Sequence, residues 1–249
     1  MSDEQLVKVT APLKLVVTSP PKFSPYPRPI REIHVLELTT RCNLRCRYCP
    51  SPQKLRPHED MAWETFEQSL RFIKKLCDIG TQGEVALTGI GEPTLHPRFV
   101  DAMAALRQTL GPHRQITVST NGIIFPEELA VEMKKHDVKL YVSLHRPERA
   151  GLAVEIAKRH GILVGVNNSA AISAMYWAGQ VKWYNSHPQP AWCDYLRLGW
   201  AVILVDGRVT QCCVDATGEG VTGTVWQEPK DVPMKPFGLC AKCSFTVPD

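Results

Sequence analysis

Three closely spaced cysteines are the feature that most constrains this chain. Cys42, Cys46 and Cys49 are separated by three and then two residues, so their thiolates can fold around one small metal cluster. Thiolates are soft ligands suited to iron–sulfur clusters, and a [4Fe–4S] cube normally takes four of them. Three would leave one iron open to bind a substrate or cofactor, which predicts a site for chemistry. The alternative is a zinc knuckle, for which His58 is near enough in sequence to be the fourth ligand.

The composition is that of a soluble globular protein. The chain has 249 residues, 44% hydrophobic and 22% charged, enough for one sizeable core with room for a small second domain. Its longest clean apolar run, 201–205, is far shorter than the roughly 20 residues of a membrane span, and its first residues do not resemble a signal peptide. We therefore expect a cytoplasmic protein without a membrane partner. In that compartment, nine cysteines favour metal binding over disulfides.

The net charge is +4, and basic residues concentrate near the cysteine cluster. The group comprises Arg28, Arg31, Arg41, Arg45, Arg47, Lys54 and Arg56. A solvated basic face is the commonest explanation of such a group. The functional explanation is docking of an acidic electron donor or of a phosphate-bearing substrate. Charge alone does not choose between the two.

From residue 31 onward, strand and helix periods alternate. Strands are predicted at 33–38, 84–88, 115–119, 138–144 and 162–166, and helices at 63 to a stop at Gly80, 99–110, 126–136 and 148–160. Repeated strand–helix units imply a parallel sheet with right-handed crossovers. Polar and glycine-rich stretches follow the strands, at 39–50, 88–97, 119–122, 143–147 and 167–170. Five segments should therefore converge on the edge where active sites form, which a local zinc knuckle does not explain.

The chain divides into four predicted regions. Residues 1–30 contain six prolines and should form an extended arm. The α/β core covers 31–170. Residues 171–192 are rich in aromatic side chains and show no clear period. They form either the core of a small second domain or, as we expect, a cover over the edge of the sheet where the strands end, which we call the rim. Residues 193–249 form a C-terminal cysteine-rich domain.

The cysteines of this last region can meet around a hairpin. Asp206-Gly207 is a hairpin turn signal, Cys193 precedes the hairpin, and the chain ends in Cys240-Ala241-Lys242-Cys243. With one cysteine from the hairpin base, four thiolates could come together. They would suit either a closed iron–sulfur cluster or a structural zinc ion.

At this point the chain resembles the radical S-adenosylmethionine (SAM) enzymes. The resemblance rests on Cys42-x3-Cys46-x-Tyr48-Cys49, on Gly89-Ile90-Gly91-Glu92-Pro93 after the second strand, and on Ser119-Thr120-Asn121-Gly122 after the third. It covers about residues 31–170 and implies an α/β fold, a partial (truncated) TIM-like βα barrel of about five parallel strands. The C-terminal part resembles the twitch or SPASM extension, which carries an auxiliary cluster on a small β-hairpin/helix domain. In size and layout, the chain looks most like the small aminocyclitol dehydrogenases of the 2-deoxy-scyllo-inosamine type.

The resemblance implies two [4Fe–4S] clusters and SAM as cofactors. The first cluster would be held by Cys42, Cys46 and Cys49. The auxiliary cluster would be held by Cys193, Cys212, Cys240 and Cys243; Cys213 competes with Cys212, whose distance from Gly207 matches the family turn. Candidate SAM contacts are Tyr48, Gly89, Gly91, Glu92, Ser119, Asn121, Ser143 and Asn167. For Asn121 the alternative role is capping of the turn after the strand. Cys77 is expected to be a small buried hydrophobe.

Reductive cleavage of SAM would give a 5′-deoxyadenosyl radical that abstracts a hydrogen from the substrate. We expect a small polar metabolite that is oxidised or rearranged, with the closed auxiliary cluster as electron relay and a flavodoxin- or ferredoxin-type donor as partner. One departure puts the aminocyclitol reaction in doubt, because the family's substrate-binding arginine is replaced in Asn167-Asn168-Ser169. His145 is the nearest candidate for a catalytic base. The alternatives are modification of a peptide or nucleic-acid base, and a non-catalytic zinc protein.

Overall fold

An eight-stranded sheet organises the fold, as seen in a computed structural model that describes residues 26–167, 177–181, 191–243 and 245–246. The strands are β1 (Arg28–Pro29), β2 (Glu32–Leu36), β3 (Val85–Leu87), β4 (Ile116–Thr120), β5 (Val138–Ser143), β6 (Val164–Asn167), β7 (Ala191–Trp192), β8 (Trp200–Ile203), β9 (Arg208–Thr210), β10 (Val221–Thr224), β11 (Pro233–Met234) and β12 (Phe245–Thr246). The helices are α1 (Trp63–Asp78), α2 (Phe99–Leu110), α3 (Glu127–Lys135), α4 (Pro147–Arg159) and α5 (Asp194–Leu198). The strand order in the large sheet is β10-β9-β8-β2-β3-β4-β5-β6.

The five consecutive strands β2 to β6 are all parallel, and α1 to α4 lie in the connections between them. This confirms the predicted α/β class with a partial barrel of parallel strands. The element bounds lie close to those read from the sequence, and α2 coincides with its prediction. The agreement arises because each strand–helix unit has its own hydrophobic period and its own signal that ends the helix. Gly111, which follows α2 with φ +73°, is one such signal.

The two faces of the sheet have different character. The face toward the helices carries a continuous apolar core, which includes Ile116 and Val118 of β4. The opposite, concave face has a small apolar cluster of Val35, Ala86, Val202 and Leu204. Alternation along each strand therefore sends large apolar residues to the helices and leaves small or polar ones to line the concave side. Cys77 of α1 is 8% exposed within the main core, which confirms its predicted role as a buried hydrophobe.

The C-terminal hairpin continues the large sheet. Strand β8 pairs in parallel with β2, with Glu32 opposite Trp200 and Leu36 opposite Ile203. Strands β9 and β10 then add antiparallel at that edge. Gly207 makes the predicted turn with φ +81°. That residues 193–249 form a separate domain remains a prediction. Their hairpin belongs to the sheet of the core, because the edge of β2 that does not pair with β3 pairs with the apolar strand β8.

Two predicted regions fall mostly outside the described residues. Of the proline-rich arm, 1–25 lie outside, while β1 pairs antiparallel with β11. Of the aromatic region 171–192, the segments 171–176 and 182–190 lie outside. In the described remainder, Trp177, Val181 and Ile90 pack in one apolar cluster, which brings this segment against the rim. Within the described residues, no helix has both the length and the apolar character to cross a membrane.

Candidate active site

A cavity of about 540 Å³ occupies the concave side of the sheet. It is lined by Cys42, Cys46, Tyr48, Cys49, Gly89, Gly91, Glu92, Ser119, Asn121, Ser143, His145 and Asn167. The structure thus brings together all residues that the sequence assigns to the first cluster and to SAM, together with the candidate base. They come from five separate segments, which meet because parallel strands present their carboxyl ends at one edge.

The three cysteines of the first motif form one wall of this cavity. A turn closes the motif, since the Cys49 amide donates to the Cys46 carbonyl at 3.1 Å. The Leu44 amide and the Asn121 side-chain amide approach the Cys42 Sγ at 3.4 and 3.8 Å. Burial raises the pKa of the Cys42 thiol, and it raises the pKa of Cys49 to about 11. Thiolates in such a place need the positive charge that a bound metal cluster supplies.

His58 does not take part in this cysteine site. Its Nε2 lies 3.0 Å from the Ser51 carbonyl oxygen, and the residue is not among those lining the cavity. No three His, Cys, Asp or Glu side chains in the described ranges are placed to hold a single metal ion. The described residues therefore do not form the compact tetrahedral site that the zinc-knuckle alternative requires. Cys42, Cys46 and Cys49 do line one cavity, as binding of a single iron–sulfur cluster by all three requires.

Gly91 lies against the backbone of the segment that leads into the cysteines. A Cβ at this position would be 2.1 Å from the Thr39 carbonyl oxygen and 2.8 Å from that of Arg41. The neighbouring Glu92 amide donates to the Arg41 carbonyl at 2.8 Å. Only glycine permits this approach. From the sequence, Gly91 was predicted to leave room for SAM. The structure adds that Gly91 lets the loop that carries the cysteines pack closely against it.

Glu92 connects the loops after β3 and β4. Its buried carboxylate accepts hydrogen bonds from the Asn121 amide at 2.7 Å, from the Thr120 hydroxyl at 2.8 Å and from the Thr94 hydroxyl at 2.7 Å. Burial raises the pKa of Glu92, and these donors oppose the shift. With its oxygens occupied in this way, Glu92 positions other groups at the rim. Its assignment as a direct SAM contact stays a prediction.

Asn121 and Tyr48 hold other parts of the rim. The Asn121 Oδ1 accepts from the Ile123 amide at 3.0 Å, which is the turn-capping role foreseen as an alternative, and its Nδ2 donates to the Asn43 Oδ1 at 2.7 Å. The Tyr48 hydroxyl and the His145 Nδ1 are hydrogen-bonded. Burial, together with neighbouring Arg146, lowers the pKa of His145, whereas burial near the cysteines raises the pKa of Tyr48. The lowered pKa favours the neutral imidazole, and its tautomer determines which partner of the Tyr48–His145 hydrogen bond donates.

A buried ion pair, which the sequence did not predict, lies beside the same cavity. The Arg56 guanidinium donates to both oxygens of Glu37 at 2.6 and 2.8 Å and to the Ala216 carbonyl at 3.0 Å. Glu37 also accepts from the amides of Ile90 and Val205. Arg56 is one of the basic residues near the cysteines in sequence, but at 5% exposed it belongs neither to a solvated basic face nor to a docking surface. The sequence feature that could have indicated this ion pair is Glu37 itself, a charged residue at the end of an apolar strand.

A second cavity, of about 210 Å³, lies beside α5. The cysteines that line it are Cys193, Cys212, Cys213, Cys240 and Cys243. These are all four predicted auxiliary ligands and the competing cysteine. The donor set of five thiols with an otherwise mainly apolar lining fits an iron–sulfur cluster.

Cys212, Cys213 and Tyr195 form the wall between the two cavities, because each of them lines both. Burial, together with the nearby Cys213, raises the pKa of Tyr195 well above its usual value. Burial raises the pKa of Cys213 to about 12 and raises the pKa of Cys212 as well. Cys213 keeps accessible surface, and its position in both linings means that this surface faces the cavities. The choice between the two cysteines as ligand stays a prediction.

Known proteins resemble parts of this chain. A family model described as the Radical SAM superfamily matches residues 36–181. A GTP 3′,8-cyclase from Parasynechococcus marenigrum is 34% identical over 134 residues, which are 51% of this chain and 37% of that protein. A tungsten-containing aldehyde ferredoxin oxidoreductase cofactor-modifying protein from Pyrococcus furiosus is 33% identical over 108 residues, 42% of this chain and 28% of that one. The chain thus spans well under half the length of these curated relatives.

Solved structures share the fold over a longer range. BtrN in complex with AdoMet and 2-DOIA superposes with a TM-score of 0.64 and 18% identity, covering 79% of this chain and 78% of that one. The enzyme anSMEcpe with bound AdoMet and the Cp18Cys peptide gives a TM-score of 0.55 and 14% identity over 78% and 77% of the two chains. The family model covers more than half of this chain and includes its three clustered cysteines. The protein belongs to the radical SAM superfamily.

Proposed function

We propose that this radical SAM enzyme cleaves SAM reductively and uses the resulting 5′-deoxyadenosyl radical to abstract a hydrogen from a small polar metabolite, which is then oxidised or rearranged. Family membership implies a [4Fe–4S] cluster and SAM, and when bound the cluster supplies the electron that splits the S–C5′ bond. The observation that carries the proposal is the convergence of all residues predicted for the first cluster and for SAM on one cavity.

The chain's own residues would hold and orient the reactants. Cys42, Cys46 and Cys49 would bind the cluster, with Tyr48 beside the adenine and Ser119 and Asn121 at the ribose or carboxylate. Sheet, rim loops and the Trp177 segment surround the cavity, which would keep water from a reactive radical. The cluster and SAM would share the cavity of about 540 Å³ with the substrate. The space left beside them supports a small metabolite over a peptide or nucleic acid.

The second cavity supports an auxiliary [4Fe–4S] cluster on Cys193, Cys212, Cys240 and Cys243. Four thiolates would leave no iron open, so electron transfer is the role that such a cluster could fill. It would accept the electron of a substrate radical in a net oxidation. The wall of Tyr195, Cys212 and Cys213 shared by both cavities supports this path. Exposed Arg45 and Lys54 near the first cluster would suit docking of an acidic electron donor.

Anaerobic reconstitution followed by iron and sulfide analysis and a SAM-cleavage assay with dithionite tests the proposal. We expect about eight irons per chain for two [4Fe–4S] clusters and formation of 5′-deoxyadenosine. Cys42→Ala should abolish 5′-deoxyadenosine formation. Replacing both Cys240 and Cys243 with Ala should halve the iron and spare SAM cleavage in the absence of substrate.

Cys77→Ala is the matched control, because this cysteine lies in the apolar core away from both cavities. It should retain the full iron content and full SAM cleavage. Zinc in place of iron, or no 5′-deoxyadenosine from the reconstituted wild-type protein, would contradict the radical mechanism. Unchanged iron in the Cys240/Cys243 double variant would contradict the second cluster alone.

A further inference from the structure

Polar side chains on or next to four neighbouring strands line the large cavity. His34 lies on β2, Glu84 directly precedes β3, Thr117 lies on β4 and Tyr141 on β5. In the strand register Tyr141 is level with Ser119 at the rim and Thr117 is level with Ala86 of the concave-face cluster, so His34 and Glu84 lie deepest. A molecule placed in this cavity would meet polar groups at its deep end, and apolar walls where a C–H bond could face the rim.

The charge of the cavity is mainly negative. Its described lining contains four carboxylates, Glu37, Glu84, Glu92 and Asp215, and one guanidinium, Arg56. Arg56 is buried, its charge is paired with Glu37, and three of its five N–H groups already donate to Glu37 and Ala216. In sequence, the segments 168–176 and 182–190 add one lysine and no arginine. Phosphate and carboxylate groups are recognised by arginine forks or similar donors, which the described lining does not offer.

Three of the four carboxylates are already saturated. Glu37 and Glu92 accept the hydrogen bonds described above. Asp215 accepts from the Thr210 hydroxyl at 2.6 Å and from the amides of Gly218, Glu219 and Gly220 at 2.9 to 3.0 Å. Glu84 differs, because its side chain accepts only the Thr117 hydroxyl, at 2.9 Å on Oε1, among the described residues. Its second oxygen retains full acceptor capacity.

Packing holds other polar residues of the lining in place. The Tyr141 ring lies on Gly165, where a Cβ would come within 2.5 Å of it. The His34 ring stacks on Trp200 with centroids 4.1 Å apart and planes 3° apart. Lys139 is opposite Thr117 in the strand register but does not line the cavity. A carboxylate that is held by one neighbouring hydroxyl group and keeps a free oxygen is suited to amines and hydroxyls.

We propose that the substrate is a small hydroxyl- or amine-bearing molecule without negative charge, and that Glu84, with Thr117 beside it, is its specificity-determining carboxylate. This inference rests on the proposed SAM-cleaving function. It separates the chain from its GTP-named relatives, because a triphosphate would meet the free carboxylate oxygen of Glu84 and, as the one guanidinium of the described lining, Arg56, which is already paired with Glu37.

The test uses metabolites below 1 kDa from the source organism, divided by ion exchange at pH 7 into cation-retained, anion-retained and unretained pools. Each pool is added to the reconstituted holoenzyme with SAM and reductant, and 5′-deoxyadenosine is measured above the rate without addition. We expect at least fivefold stimulation by the cation-retained or the unretained pool. Stimulation by the anion-retained pool alone, or by none of the pools, would overturn the inference. Failure of all SAM cleavage would instead overturn the proposed function.

Variants at Glu84 then test its role. Glu84→Gln should raise the amount of active pool needed for half-maximal stimulation about tenfold or more, since a hydrogen bond to a charged group is lost. Glu84→Asp, which keeps the charge, should recover part of this. Glu67→Gln, at an exposed position of α1, should match the wild type. Iron content checks folding of each variant. An unchanged half-maximal amount in a folded Glu84→Gln would show that Glu84 does not select the substrate.

Discussion

At the scale of single residues, Gly91 is the position at which the cavity tolerates least change. An alanine here would push its Cβ into the Thr39 and Arg41 carbonyls, which are backbone atoms and cannot rotate away. We expect Gly91→Ala to destabilise the protein by about 1–3 kcal/mol and to reduce SAM cleavage strongly, because the cluster loop would shift. Anaerobic urea denaturation and the 5′-deoxyadenosine assay measure the two effects.

Gly151→Ala is the matched control for this prediction. Gly151 lies within α4, and a Cβ there would meet nothing within 4 Å. Alanine should therefore stabilise the helix by about 0.5–1 kcal/mol and leave SAM cleavage as in the wild type. Equal stability of the two alanine variants would show that backbone contact at Gly91 does not matter.

The sequence anticipated single residues well where a motif carries the chemistry. The three cysteines of the first motif, the glycines of residues 89–93 and Asn121 were named from spacing or resemblance, and they all line the large cavity. Glu37, Arg56 and Glu84 were not named as site residues. Their partners lie 19 to 168 residues away, and no local period encodes a pairing at that distance.

At the scale of elements, the Glu37–Arg56 pair joins the end of β2 to three loops. Its bonds reach Ile90 after β3, Val205 after β8 and Ala216 after β9. Arg56→Met would leave the Glu37 carboxylate buried without a partner, which costs about 3–5 kcal/mol. Urea denaturation of the reconstituted protein should show this loss, together with weaker SAM cleavage as the rim loops loosen.

Two companion variants make this prediction specific. Replacing both Glu37 and Arg56 with Met should recover part of the loss, because no unpaired charge remains buried. Lys74→Ala breaks the exposed pair with Asp78 on α1 and should cost only about 0.3–0.5 kcal/mol. If Arg56→Met cost no more than Lys74→Ala, the buried pair would not hold the loops.

The elements themselves were predictable to different degrees. Strands β2 to β6 and helices α1 to α4 follow from local periodicity, and the structure confirms them within a few residues. The short helix α5 was missed, since five residues carry too little pattern for a helical period. The place of β8 beside β2 was also missed, because pairing over such a separation depends on the completed sheet.

At the scale of the whole molecule, β8 makes the C-terminal region part of the core sheet. A chain that ends after residue 192 would lose β8, β9 and β10 and expose the edge of β2. We expect this truncated protein to be insoluble or to unfold without cooperativity, because an unpaired central edge cannot satisfy its backbone groups. Soluble yield and thermal circular dichroism test this.

The effect of losing β8 must be distinguished from the effect of losing the proposed auxiliary-cluster ligands. The full-length protein with both Cys240 and Cys243 replaced by alanine keeps β8, so we expect it to remain soluble with a cooperative transition. A soluble, cooperatively folded 1–192 fragment would mean that the core needs no strand from the C-terminal region. That result would favour an independent domain from residue 193.

The pairing of β2 with β8 also has a consequence for biosynthesis. Residues 32–36 leave the ribosome among the first of the described chain, and their partner at 200–203 follows more than 160 residues later. At about 5–20 residues per second, this delay is on the order of ten to thirty seconds. During that time one side of β2 is an uncovered edge open to other chains. Slow translation should therefore favour aggregation of this protein, and chaperones that shield nascent strands should raise its yield.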